Sequence, residues 1–123
     1  MKLSINFSLS EFACNDGSET PCEVQVNLKE VALNLQQLRD YLGVPITVNS
    51  GYRSPAYNKK VGGASKSQHL LGKAADITVP NKRPVQVKAI IEKLISEGKM
   101  KNGGIGLYPT FVHYDVRDLP ARW

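Results

Sequence analysis

Long apolar runs are absent from this chain of 123 residues, whose longest uncharged apolar stretches fall far short of the roughly 20 residues that cross a bilayer. This excludes a membrane-spanning protein. The bias of disordered or fibrous chains is also absent, because 41% hydrophobic and 22% charged residues are ordinary values for globular proteins. The length supports one domain, residues 1–123, and leaves no room for a second.

A secretory signal is missing as well. Residues 1–8 alternate polar with apolar side chains, without the continuous apolar segment or the small-residue cleavage site of such a signal. We therefore expect synthesis in the cytoplasm without a signal peptide.

Cysteine is scarce, since only Cys14 and Cys22 are present, eight positions apart in a turn-rich segment. This spacing allows a local disulfide, whereas a reducing cytosol favours free thiols. A zinc site would usually need further cysteines or histidines nearby, and both histidines are distant in sequence. We interpret the segment as a loop and leave the disulfide open.

The chain has no acidic excess: 16 Lys and Arg against 11 Asp and Glu give a net charge of +5. A basic surface favours anionic partners such as nucleic acid, phospholipid or an acidic wall polymer. The basic residues are scattered, however, and helix-turn-helix, zinc-finger and RNP-like patterns are all missing. Nucleic acid is therefore not an expected partner, and charge alone identifies none.

Apolar periodicity predicts two main helices. The first has Asn27 as N-cap and Glu30 at the third position, and it ends at Gly43. The second opens at Pro84 and ends at Gly98. Their apolar stripes consist of Leu28, Val31, Leu35, Leu38 and Leu42 in the first helix, and of Val87, Ile90, Ile91, Leu94 and Ile95 in the second.

Short β-branched or apolar runs predict four strands, around residues 46–50, 74–79, 104–108 and 111–116. Residues 51–72 are rich in Gly and Ser and are interpreted as a loop with a helical turn. Helices and strands do not alternate regularly. The pattern therefore favours an α+β fold, with a small, mostly antiparallel sheet and two main helices.

Each of the two histidines has an acidic residue nearby: Asp76 follows His69 by seven positions, and Asp115 follows His113 by two. Catalytic zinc sites typically use three imidazole or carboxylate ligands and one water, which His69, Asp76 and His113 would supply. His113 and Asp115 would project from one face of a strand, so Asp115 could act as a base or orient His113. From spacing alone, ordinary surface or core histidines remain the alternative.

The segment from Ser67 to Asp76 resembles the Ser-x-His-x-x-Gly-x-Ala-x-Asp signature of the zinc D-Ala-D-Ala peptidase family. In this resemblance His69 and Asp76 match the first two zinc ligands, and His113 matches the third. Residues 50–58, which include Arg53, resemble the arginine-bearing segment that precedes the signature. Residues 104–115 and the final Arg-Trp pair are similar to a branch of small single-domain members.

The resemblance implies a fold similar to that of the D-Ala-D-Ala carboxypeptidase and of the Hedgehog amino-terminal domain. It implies Zn²⁺ as cofactor, peptidoglycan stem peptides as partner, and hydrolysis of an amide bond that involves a D-amino acid. The enzyme would be a zinc metallopeptidase of the D-Ala-D-Ala carboxypeptidase or murein endopeptidase type. Arg53 would bind a substrate carboxylate or stabilise the oxyanion. We also expect a monomer.

The chain departs from the family pattern at the general base. Several relatives carry an acidic residue three positions before the last ligand, or a histidine two before it. Thr110 and Phe111 occupy those positions here. Asp115 is the nearest candidate base, and the alternative is that it orients His113.

Other polar groups near these motifs have open roles. Ser67 could bind substrate or cap a turn. Tyr52, Tyr57 and Tyr108 could line a peptide groove, although packing is the commoner role of such tyrosines.

Two functions remain in view. The first is a peptidase that acts on the cell wall after release, as a phage lysin does, or as part of a virion, which would explain the missing signal. The alternative is a zinc-bearing peptidoglycan-binding module that has lost catalysis, which the residues at 110 and 111 favour.

Overall fold

The computed structural model describes all 123 residues. The chain starts with two short antiparallel strands, β1 (Lys2–Ser4) and β2 (Phe7–Ser8), and a one-turn helix, α1 (Leu9–Phe12). Ser8 and Glu11 form a capping box at the start of α1.

The longest helix, α2 (Cys22–Leu42), begins earlier than the sequence pattern predicts. Asn27 is not its N-cap, because Pro21 holds that position and the side chain of Asn27 donates to the carbonyl of Leu71. The apolar face extends one turn further back through buried Val24, which lies four residues before Leu28. Gly43 ends the helix in a left-handed conformation, as predicted.

Between α2 and the second main helix lie β3 (Thr47–Ser50), helix α3 (Pro55–Lys60), a 3-10 helix (Gln68–Leu71) and β4 (Ala74–Thr78). The segment predicted as loop therefore contains two short helices. The second main helix, α4 (Pro84–Ser96), opens at the predicted proline. Three strands follow it: β5 (Gly104–Leu107), β6 (Val112–Asp115) and β7 (Ala121–Arg122).

Five of these strands form one sheet in the order β3-β4-β6-β5-β7. All neighbours are antiparallel except β5 and β7, which pair in parallel. The mostly antiparallel α+β fold is thus confirmed, and β7 is an edge strand that the sequence pattern did not predict.

One hydrophobic core of 23 buried residues joins the sheet to the two main helices. Ile77, Ile105 and Val112 contribute from the sheet, while the apolar stripes of α2 and α4 contribute from the helices. The alternate residues of β4 and β6 point to the opposite side of the sheet. That side, which the helices leave uncovered, carries the polar residues described next.

None of the helices combines the length and the apolar character that a membrane-spanning helix requires. The two cysteines are free thiols, Cys14 buried and Cys22 exposed at the first position of α2.

Candidate metal centre

Strand register brings Asp76 and His113 together. Asp76 on β4 is directly opposite His113 on β6, so both side chains stand on the same face of the sheet. His113 Nδ1 lies 3.1 Å from Asp76 Oδ1, and both residues are buried. Their neighbours in the strands, Ile77 and Val112, face the core. The period of two in a strand therefore separates the polar pair from the core beneath it.

His69 reaches the same carboxylate from the 3-10 helix. Ser67 begins this helix by accepting a hydrogen bond from the His69 amide, and Gly72 ends it with a φ of 71°. A Cβ on Gly72 would lie 2.5 Å from a methyl group of Val24, so only glycine allows this turn against α2. The turn directs His69 Nε2 to within 3.2 Å of Asp76 Oδ1.

The second nitrogen of each imidazole fixes which nitrogen faces the centre. The Gly51 carbonyl can only accept, so His69 Nδ1, 2.7 Å away, carries a proton and Nε2 presents its lone pair. His113 Nε2 donates to Asp115 Oδ2 at 2.7 Å, which leaves Nδ1 to face the centre. Two imidazole lone pairs and a carboxylate oxygen thus converge, an arrangement that requires a cation or an additional proton.

The geometry suits a tetrahedral metal ion. The ligand atoms of His69, Asp76 and His113 all lie within 4.8 Å of one another. Zinc bonds of about 2.1 Å give tetrahedral edges of about 3.4 Å. The two nitrogen-to-oxygen distances of 3.1 and 3.2 Å are close to that value. These three residues could therefore hold Zn²⁺ with small adjustments.

The pKa values of the cluster agree with a cation site. Burial alone would raise the pKa of Asp76, but hydrogen bonds with His113 and His69 hold it well below its ordinary value. Burial alone would lower the pKa of His113, but hydrogen bonds with Asp115 and Asp76 outweigh burial and raise it. In the absence of metal, protonated His113 therefore forms an ion pair with the negatively charged Asp76.

Asp115 is fully enclosed behind His113. Its side chain is 0% exposed, and its oxygens accept from His113 and from the amides of Gly104 and Arg117. The Arg117 guanidinium adds two parallel hydrogen bonds of 2.8 and 2.7 Å. A Cβ on Gly104 would clash with the carboxylate, so the glycine leaves room for it. These contacts favour a role of Asp115 in orienting His113 over the predicted role of Asp115 as general base.

The pKa of Asp115 points the same way. Burial would raise it, but hydrogen bonds with His113 and Arg117 hold it well below its ordinary value. A carboxylate of such low basicity, without access to solvent, is a poor proton acceptor.

Arg53 lies beside the centre, with a side chain that is only 16% exposed. Its Nη2 is 3.4 Å from Asp76 Oδ2, and its other nitrogens contact Ser50 and Asn58 at 3.3 Å. Its amide also donates to the His69 carbonyl, which ties the arginine-bearing segment to the 3-10 helix. These contacts are long for charge-assisted hydrogen bonds, so the guanidinium retains donor capacity toward the cleft.

The centre opens into a cleft of about 510 Å³. Three cationic side chains, Arg53, Lys66 and Arg117, line it, and Asp76 is the one carboxylate among the lining residues. The far wall is aromatic, with Tyr108, Phe111 and Trp123, and the loop before the 3-10 helix closes the other side. The cleft is therefore positively charged and open to a ligand with carboxylates.

Sequence reasoning missed the roles of Arg117 and Trp123. The Trp123 ring packs 5.0 Å from the His113 ring, and Arg117 lies 5.0 Å above the Trp123 ring. This packing requires glycine opposite His113 on β5, because a Cβ on Gly106 would lie 2.6 Å from the indole. The Asp-x-Arg spacing of Asp115 and Arg117 was the available signal.

Of the remaining polar candidates, some pack in or against the core and others line the cleft. Ser67 caps the 3-10 helix and also lines the cleft, so its predicted substrate contact stays a prediction. Tyr52 is buried in the core and Tyr57 packs against it, whereas Tyr108 lines the cleft.

This fold and this site define a class of protein: a mostly antiparallel α+β domain with a His-Asp-His metal centre in an open cleft. Residues 5–115 match the Peptidase M15 family. The match covers most of the chain, and the chain belongs to this family, which confirms the resemblance seen in its motifs.

Two relatives are similar to the chain over part of their lengths. The zinc D-Ala-D-Ala carboxypeptidase of Streptomyces albus G is 39% identical over 79 residues, which are 59% of this chain and 31% of that protein. The probable peptidoglycan L,D-endopeptidase MepK of Haemophilus influenzae is 34% identical over 97 residues, which are 73% of this chain and 49% of that protein. The chain thus spans half or less of these relatives' lengths. Family membership and a His-Asp-His donor set that could hold a metal ion confirm the expected Zn²⁺ cofactor, and the assignment of these three residues as its ligands stays a prediction.

Proposed function

We propose that the chain is a zinc-dependent peptidase that hydrolyses an amide bond involving a D-amino acid in peptidoglycan stem peptides. One observation carries the proposal: three metal-ligand atoms converge at the base of an open, positively charged cleft. Catalytic zinc sites differ from structural ones in having three protein ligands and an open position, and this centre has both features. The names of the two relatives support peptidoglycan as substrate.

His69, Asp76 and His113 would hold Zn²⁺, which would supply Lewis-acid chemistry for amide hydrolysis near neutral pH. The protein holds the ligands in place through hydrogen bonds of their own. The Gly51 carbonyl fixes His69, and Asp115 fixes His113. Such partners keep the imidazole rings oriented and raise their basicity as ligands.

Arg53 binds a substrate carboxylate or the developing oxyanion in this proposal. Its guanidinium lies at the edge of the centre, where the nearby Asp76 charge and two neutral oxygens hold it in place. A fixed charge with several donors suits either acceptor, because the donors are positioned before charge develops.

The charge of the cleft supports a stem peptide as ligand. Lys66 is exposed on the loop before the 3-10 helix, and Arg117 lines the same cleft. Stem peptides carry free carboxylates, so cations at several points of the cleft favour them over neutral peptides.

We further propose that Asp115 orients His113 and does not act as the base. Five hydrogen bonds from His113, Gly104 and Arg117 saturate its oxygens, and none of its surface is exposed. A base must lie within hydrogen-bonding reach of the proton that it removes.

The alternative is a zinc-bearing peptidoglycan-binding module without catalysis. One observation favours it: no carboxylate other than the ligand Asp76 lines the cleft, so the site lacks an evident proton acceptor. Thr110 and Phe111 occupy the positions where relatives of the resembled family carry the base.

Incubation of zinc-loaded protein with purified, insoluble peptidoglycan separates the two functions. The proposal predicts a steady increase in free amino groups, which is abolished in His113→Ala. The binding module predicts that the protein sediments with the wall while free amino groups stay constant. His113→Ala is the matched control because it removes one ligand and leaves the cationic residues of the cleft intact.

The bond and the setting belong to the same proposal. Carboxypeptidase and endopeptidase cleavage would release a single amino acid or a longer fragment, and the two relatives are named for one activity each. We propose a phage lysin or virion-associated role, for a monomer synthesised in the cytoplasm. Lysis of host cells after expression, with and without a membrane-permeabilising agent, tests the requirement for release.

A further inference from the structure

The hydroxyl group of Tyr108 is held at the cleft by two aromatic neighbours. Trp123 Nε1 donates a hydrogen bond of 2.8 Å to the Tyr108 oxygen. The Tyr108 ring stacks on Phe111, with ring centres 4.5 Å apart and planes inclined by 8°. All three rings line the cleft. Tyr108 is 37% exposed, so its position is fixed although its surface is accessible.

The indole determines which hydrogen bond the hydroxyl still has to make. An indole N–H can only donate, so the Tyr108 oxygen acts as acceptor toward Trp123. The phenolic hydrogen then remains available for a partner outside the protein. Tyr108 is therefore a preorganised hydrogen-bond donor.

Tyr108 is connected to the metal centre through Trp123. The Trp123 ring that holds it packs against the ring of the ligand His113. On its other side, Tyr108 borders a second groove of about 440 Å³, lined by residues 83–85 and 107–109. A peptide that extends from the metal centre into this groove would pass Tyr108, which lines both the cleft and the groove.

Arg53 is already proposed as the donor to a substrate carboxylate or the oxyanion, and neither Asp115 nor residues 110 and 111 supply a second donor. Amide hydrolysis requires a donor at the bond that is cleaved, and Asp115 is enclosed and saturated. Thr110 and Phe111 do not line the site with a polar side chain, because Thr110 is outside the cleft and Phe111 is apolar.

We propose that Tyr108 is a further catalytic residue, whose hydroxyl donates a hydrogen bond to the scissile amide, and that Trp123 is its positioning residue. The inference rests on the proposed peptidase function. No proton is transferred in this role, since the hydroxyl keeps its hydrogen throughout.

Three variants test the assignment, with kinetics on soluble muropeptides as the readout. Tyr108→Phe keeps the ring and its stacking but removes the donor, so kcat should fall about 100-fold with little change in KM. Trp123→Phe keeps an aromatic ring against His113 but removes the hydrogen bond to the Tyr108 hydroxyl. In this variant kcat should fall less than in Tyr108→Phe. The double variant should be no slower than Tyr108→Phe alone, because the indole acts through the hydroxyl. Tyr41→Phe, an exposed tyrosine on α2, is the matched control.

A spectroscopic readout checks the hydrogen bond independently of activity. Trp123 is the one tryptophan of the chain, so its indole N–H gives a single, unambiguous NMR signal. Tyr108→Phe should shift this signal toward that of a free indole, while Tyr41→Phe should leave it unchanged. An unchanged indole signal in Tyr108→Phe would overturn the positioning role.

The outcomes separate this inference from the proposed function. Wild-type turnover with an equal kcat in Tyr108→Phe would reject the role of Tyr108 and leave the peptidase intact. Absence of turnover in the zinc-loaded wild type would reject both. An increase in KM with unchanged kcat would make Tyr108 a binding residue and would overturn the catalytic role.

Discussion

At the scale of single residues, hydrogen bonds hold the candidate metal ligands in place. His113 is fixed by Asp115, and Asp115 in turn is fixed by two hydrogen bonds from the Arg117 side chain. His113 and Arg117 both line the cleft, and the buried Asp115 joins them. In the proposed site these contacts keep one nitrogen of the imidazole facing the metal position.

Asp115→Asn should therefore weaken zinc binding by about 10–100-fold, and excess zinc should restore turnover. The amide keeps the size of the side chain but loses the charge that the imidazole and the guanidinium require. Competition with a chelator measures the affinity, and turnover is measured at limiting and at saturating zinc. Asp118→Asn is the control, since Asp118 is 89% exposed in its side chain and contacts only Lys101.

The opposite result would identify Asp115 as the base. In that case zinc affinity would persist, and turnover would fall by about 10²–10⁴-fold at every zinc concentration.

Arg53→Ala should reduce wall hydrolysis far more than it reduces stability. The ion pair with Asp76 is partly buried, with side-chain exposures of 16% and 9%, so its removal costs some stability. The pair is long at 3.4 Å, however, and Asp76 keeps its contacts with both imidazoles. Thermal unfolding and amine release on the same preparation give the comparison, with Lys59→Ala as an exposed cation control. A large drop in melting temperature with full activity of the folded protein would show that Arg53 is structural.

At the scale of elements, the approach of β3 to α1 positions His69. A Cβ on Gly51 would lie 2.6 and 2.7 Å from the Phe12 carbonyl oxygen and Cα, which are backbone atoms that cannot rotate away. The Gly51 carbonyl accepts from His69 Nδ1. A change in this backbone contact therefore moves a metal ligand.

Gly51→Ala should destabilise the fold by about 1–3 kcal/mol and also weaken zinc binding. Gly98→Ala is its control, because Gly98 follows α4 with a φ of +75° and open space around it. That change costs about 1–2 kcal/mol in backbone strain without touching the centre. Urea unfolding and zinc titration measure the two effects. Equal zinc affinity in the two variants would contradict the link between β3 and His69.

The elements also show how far the sequence predicts this fold. The bodies of α2 and α4 and the four main strands follow from apolar periodicity, because burial of one face imposes that period. The start of α2 does not follow, since Asn27 has the side chain of a cap but is used in a tertiary contact with Leu71. Strand β7 is two residues long and depends on pairing with β5, which periodicity cannot indicate.

The sequence likewise predicts only part of the candidate site. The spacing of His69, Asp76 and His113, together with the motif resemblance, predicted these residues as metal ligands. The strand register brings Asp76 and His113 together, and the 3-10 helix adds His69. The Asp-x-Arg spacing was a signal for the contact of Arg117 with Asp115, but the packing of Trp123 on His113 was not predictable, because it depends on which side of the sheet each residue packs. That information lies in the pairing of β5 with β6 and not in local sequence.

At the scale of the whole molecule, metal binding and folding stability are linked through His113. Its raised pKa means that the protonated imidazole stabilises the metal-free fold fully below pH 6.5, and that this contribution is lost as the pH rises through the folded-state pKa. Zinc binds only the deprotonated ring. Protons and zinc therefore compete for one site.

The increase in melting temperature that zinc produces should consequently become larger as the pH rises above 6.5. At 100 times the dissociation constant, a ligand stabilises a protein by about 2.7 kcal/mol, and the dissociation constant falls as protons leave. Calorimetry at one free zinc concentration, over a series of pH values on either side of 6.5, measures the gain. His113→Ala should show little gain at any pH. A gain in the wild type that stays constant or narrows with rising pH would contradict this linkage.

We propose that the centre formed by His69, Asp76 and His113 hydrolyses peptidoglycan stem peptides. Mass spectrometry of peptidoglycan fragments is the decisive test, after incubation with zinc-loaded wild type, with chelator-treated protein and with His69→Ala. We expect new fragments from cleavage next to a D-amino acid in the first sample alone. Identical fragment patterns in all three samples would show that this centre does not cleave the stem peptides.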